Sequence, residues 1–85
     1  MTQLDKLRKE IDLLDRKIAT LIGKRFLVAE KIGNFKKKNK MKIENKKREK
    51  IVFTKVKRLV KGNKQKKAIS NIYEEIIKQT KQLEK

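Results

Sequence analysis

From Leu4 to Lys38 apolar residues recur in steps of three and four: Leu4, Leu7, Ile11, Leu14, Ile18, Leu21, Val28, Ile32 and Phe35, with Arg25 on the same stripe. That spacing is helical and heptad-like, and it predicts one long helix, about 52 Å at 1.5 Å per residue. No Pro interrupts the run, and Thr2 and Asp5 are spaced as a capping box ahead of it. Its two glycines, Gly23 and Gly33, each cost about 1 kcal/mol relative to Ala, so each marks a candidate close approach to a backbone or ligand. A basic, flexible connection follows over 37–42, and Asn45 is suited to cap a second helix over about 46–61. The apolar face of that helix is Ile51, Val52, Val56, Leu59 and Val60, with Phe53 lying off it. Gly62-Asn63 breaks the helix and a short Lys-rich link leads to a third, over about 67–84. Ala68, Ile69, Ile72, Tyr73, Ile76 and Ile77 face inward there, and the same face then reaches Thr80 and Glu84 or Leu83, so its end turns polar, which by itself predicts a fraying terminus. The expectation is a single all-α domain over 1–85, one long helix with two shorter ones.

One long helix and two short ones cannot cover the long stripe, because small domains bury a low fraction of their surface. Pairing with another chain is the natural remedy.

Composition narrows the chemistry. There is no Cys and no His among the 85 residues, so disulfides and thiolate chemistry are excluded and a zinc site is not expected. No metal or cofactor is expected. No apolar stretch approaches 18 residues and no signal peptide opens the sequence, so a soluble, cytoplasmic protein with no membrane partner is expected. A net charge of +17 invites a nucleic-acid reading. Against it, the basic residues occupy nearly every polar position rather than one element, and the four aromatics, Phe26, Phe35, Phe53 and Tyr73, make no stacking platform. The 22 Lys outnumber the 5 Arg, and in such a background a retained Arg points to bidentate recognition that Lys cannot supply.

Arg25 is the polar exception on the long stripe. It is either a register-setting residue or a snorkelling Arg at a helix seam, or it meets an anion. Lys36 lies eleven residues on, about 16 Å along the axis and ~20° around it. Two long cationic side chains on one line can converge on a small dianion.

Leu7-Arg8, Ile11-Asp12 with Asp15, Arg25, Ile32-Gly33 with Lys36, Arg48-Glu49, and Thr80 with Glu84 together resemble the all-α (AroQ-type) chorismate mutase family. The likeness spans essentially the whole chain, including the long-short-short order of helices. It implies an isomerase that performs the Claisen rearrangement of chorismate to prephenate, a step toward phenylalanine and tyrosine, as an intertwined homodimer with two shared sites and no cofactor. By the resemblance, Arg25 and Arg8 grip the two carboxylates, supported by Arg48 and Thr80. Lys36 donates to the ether oxygen, Glu84 contacts it from the other side, and Glu49 accepts from the ring hydroxyl. Asn45 stands where many members carry Asp, which removes a carboxylate from the hydroxyl end. Arg8 lies about 25 Å along the helix from Arg25, so it reaches that pocket only from an antiparallel partner helix. An isochorismate pyruvate-lyase in the same pocket, or a small basic helical protein that binds nucleic acid, are the alternatives.

Overall fold

A computed structural model describes residues 2–85 as three α-helices: α1, Gln3–Lys38; α2, Lys46–Arg58; and α3, Asn63–Glu84. The capping box forms as the sequence predicts. Thr2 Oγ1 accepts from the Asp5 N–H and the Asp5 carboxylate accepts from the Thr2 N–H. α1 ends in a reversed turn in which the Met41 N–H reaches the Lys36 carbonyl at 2.8 Å and the Lys40 N–H reaches that of Lys37 at 3.3 Å. Lys40 occupies the left-handed position of this turn, with φ of 53°, where glycine is usual. The chain then returns through Ile43 to Asn45, whose Oδ1 accepts from the Arg48 N–H and caps α2.

The second and third helices differ from the sequence expectation at their junction. α2 stops at Arg58 instead of 61, with the Leu59 N–H bonding the Val56 carbonyl in a tightened last turn. Lys66 Nζ then donates to the carbonyls of Lys57 and Val60. Gly62, with φ of 81°, reverses the chain within one residue. α3 therefore starts at Asn63, and the expected link from 63 to 66 is already helical.

α3 packs against both α1 and α2. Among the described residues the buried apolar side chains are only Ala29, Val56 and Ile77, one from each helix, so the lone chain has a very small core. Leu4, Leu7, Ile11, Leu14, Ile18 and Leu21 are all exposed, and the molecule is 56 Å long and 15 Å at its thinnest. The first half of α1 therefore stands without a neighbour. Phe53 is half-buried. Among the described residues no helix is long and apolar enough to cross a membrane.

Candidate active site

Every third or fourth residue of one face of each helix converges on a single cavity of about 360 Å³. α1 supplies Arg25, Val28, Ala29, Ile32 and Lys36. From the α2 N-terminus come Asn45, Arg48, Glu49 and Val52, and from α3 come Ile77, Thr80, Lys81 and Glu84. The spacing i, i+3, i+4, i+7 recurs on α2 and α3, which is why short stretches of sequence deliver so many groups to one wall. The volume suits a small organic ligand.

Close packing of α1 on α3 sets the geometry. Ala29 is 2% exposed, and Gly33 is buried where a Cβ would lie 2.6 Å from Glu84 Cα. Gly33 is thus a glycine of close approach, whereas Gly23 has nothing within 4 Å of its would-be Cβ. The approach brings the last turn of α3 against the C-terminal end of α1. Glu84 is 6% exposed and its Oε1 lies 2.6 Å from Lys36 Nζ. Lys36 Nζ also donates to the Ile43 carbonyl at 2.7 Å, so two of its three protons are used and one remains. Fraying of the terminal turn, the bland expectation for Thr80 and Glu84, is not what this arrangement shows.

Arg25 donates from Nη1 to Thr80 Oγ1, and Thr80 Oγ1 donates to the Ile76 carbonyl at 2.7 Å. Neither Arg25 nor Arg48 makes an ion pair among the described residues. Four cations (Arg25, Lys36, Arg48 and Lys81) and two carboxylates (Glu49 and Glu84) line the cavity. Its side-chain charge is therefore +2, on walls that are otherwise largely apolar. Among the described residues no cluster suited to a metal ion is found.

Seven of the eight residues singled out from the sequence meet here: Arg25, Lys36, Asn45, Arg48, Glu49, Thr80 and Glu84. Arg8 does not; it is exposed on the far half of α1. The sequence reading passed over Lys81 and Glu44. Lys81 Nζ lies 3.3 Å from Glu49 Oε2 and 3.6 Å from Glu44 Oε1. Desolvation pulls the Lys81 ammonium down, but the close contact with Glu49 and the attraction of Glu44 outweigh it and hold the group above its usual 10.5. A raised value means the pairing favours the folded state below that pH and fades only in strong alkali, so Lys81 is cationic throughout the neutral range. Its position was a usable signal, one residue after Thr80 and three before Glu84, but it is hard to pick out among 22 lysines.

The model of the family described as chorismate mutase type II matches residues 7–85. A bifunctional chorismate mutase/prephenate dehydratase from Aquifex aeolicus (strain VF5) is 39% identical over 89 aligned positions, covering 100% of this chain and 25% of that protein. The chain thus spans about a quarter of the length of that curated relative. A solved structure of a conserved hypothetical protein from Pyrococcus furiosus is similar throughout, with a TM-score of 0.84 at 33% identity, over 100% of this chain and 99% of that one.

Proposed function

This chain belongs to the chorismate mutase type II family, and on that premise we propose that it rearranges chorismate to prephenate. The step is intramolecular. The ether C–O bond breaks as a C–C bond forms across the molecule, no outside nucleophile enters, and negative charge grows on the ether oxygen. A catalyst of this step restrains the dianion in a compact, chair-like conformer and stabilises that oxygen.

The observation that carries the reading is the pair Arg25 and Arg48. Both line the cavity, and neither has a carboxylate partner among the described residues. A half-buried guanidinium such as that of Arg25 is costly without an anion, and either guanidinium, the exposed Arg48 included, is selective for carboxylate. Side-chain charge of +2 complements a dianion. Arg25 takes one carboxylate, with Thr80 fixing its guanidinium, and Arg48 supports the grip from α2. The remaining proton of Lys36 serves the ether oxygen, with Glu84 beside it on the other side. Glu49 accepts from the ring hydroxyl, with Asn45 next to it.

A second copy completes the site. The exposed row from Leu4 to Leu21 is the surface that an antiparallel α1 would cover. The same pairing carries Arg8 of the partner subunit to the second carboxylate, giving a homodimer with two shared sites. The test is the purified chain with chorismate: loss of chorismate absorbance, then acid conversion of the product to phenylpyruvate. Pyruvate released from isochorismate, with chorismate untouched, would assign the lyase reaction to this pocket instead.

A further inference from the structure

Where α2 and α3 meet, an ion cluster holds a lysine, Lys81, that none of the roles above uses. Lys81 and Glu49 both line the cavity, and Glu44 does not. Glu49 Oε2 is buried and accepts no hydrogen bond among the described residues. Its charge is met by Lys81 Nζ at 3.3 Å, which also lies 3.6 Å from Glu44 Oε1.

A lysine on the wall of a cavity for a dianion can do one of two things: bind a substrate carboxylate, or hold a protein carboxylate in place. Here the ammonium is engaged by two glutamates, Glu49 on the cavity wall and Glu44 outside it. The carboxylates on the cavity wall are Glu84 and Glu49. Glu84 is paired with Lys36. At the hydroxyl end Asn45 brings no charge, and its Oδ1 is already used by the Arg48 N–H at 3.0 Å. That leaves Glu49 as the carboxylate for the ring hydroxyl, and a Glu side chain with three rotatable bonds needs fixing to accept from one direction.

We propose that Lys81 is a positioning residue that pins Oε2 of Glu49, turns the carboxylate's other oxygen to the substrate's ring hydroxyl, and thereby sets the preference for a hydroxyl-bearing ring. The inference rests on the reading of the site given above. It makes Lys81 act through Glu49 and not through direct contact with the substrate.

The test compares chorismate with an analogue lacking the ring hydroxyl, using the full chain. A hydrogen bond to a charged group is worth about 1.5–3 kcal/mol, so the wild type should prefer chorismate by roughly ten- to a hundredfold in kcat/KM. Lys81→Met should lower kcat/KM for chorismate by about tenfold and for the analogue by less than about twofold, collapsing most of the preference. Lys81→Arg, which keeps the ion pair, should restore it. In a Glu49→Gln background, Lys81→Met should add no further loss, as expected for two residues acting as one unit. Equal losses on both compounds would overturn the inference alone, since Lys81 would then serve the carboxylates or the fold. No loss on either would also overturn it and reduce the cluster to a surface ion pair. A wild-type chain that turns over neither compound would overturn the inference together with the reading beneath it.

Discussion

Gly33 on α1 meets Glu84 on α3 with no room for a side chain between them: a Cβ at 33 would stand 2.6 Å from Glu84 Cα and strike its carbonyl oxygen. The obstacle is backbone and cannot swing aside. Gly33→Ala gains about 1 kcal/mol of helix propensity, but overpacking of this kind costs about 1–3 kcal/mol. The last turn of α3 should therefore shift and break the Lys36–Glu84 pair. The expected result is a loss of about a hundredfold or more in kcat/KM with nearly unchanged helicity by circular dichroism. Full activity in this variant would mean the contact does not position Glu84.

Glu84 supports a prediction of its own. As a carboxylate it accepts from Lys36 and repels the charge growing on the ether oxygen, whereas an amide donates at any pH. Glu84→Gln should raise kcat/KM near neutrality by about tenfold, within the range that one oxyanion donor supplies. Equal kcat/KM for the two proteins near neutrality would leave Lys36 as the group serving that oxygen.

Arg8 and Arg25 lie in opposite halves of α1, one exposed and one in the cavity wall. In the proposed dimer each site takes one of these arginines from each chain. Arg8→Ala and Arg25→Ala should each be nearly inactive, Arg25→Ala with its fold intact because an unpaired charge is removed. Mixing the two inactive proteins should restore activity, since one pocket of each mixed dimer has both arginines. Failure to recover, with subunit exchange demonstrated by mass spectrometry, would refute the shared site.

Lys40 carries a left-handed conformation that costs a non-glycine residue about 1 kcal/mol or more. Lys40→Gly should raise stability by about that amount, read as a higher denaturation midpoint at unchanged m. KM should stay the same, because Lys40 does not line the cavity.

Legibility in the sequence followed the range of the forces involved. Long periodicity announced α1, and the local caps at Thr2 and Asn45 formed as spaced. Arg25 was legible because it interrupts an apolar row. The α2–α3 junction was not, since residues 63–67 carry no apolar period and their helix depends on one left-handed glycine. The burial of Glu84 was hidden for a different reason. It depends on Gly33, 51 positions earlier, and no local pattern reports a contact between two helices. Lys81 and Glu44 were masked by composition, because an ion pair in a chain this basic is visible only once the helices are placed.

The bare half of α1 makes the amount of protein a variable of the chemistry. With Ala29, Val56 and Ile77 the only buried apolar side chains among the described residues, folding and pairing should be one equilibrium, governed by mass action. The melting temperature should climb with chain concentration, and specific activity should decline on dilution below the dissociation constant of the proposed dimer. Dilution alone would then act as an inhibitor, and the substrate, by bridging two chains, would oppose it.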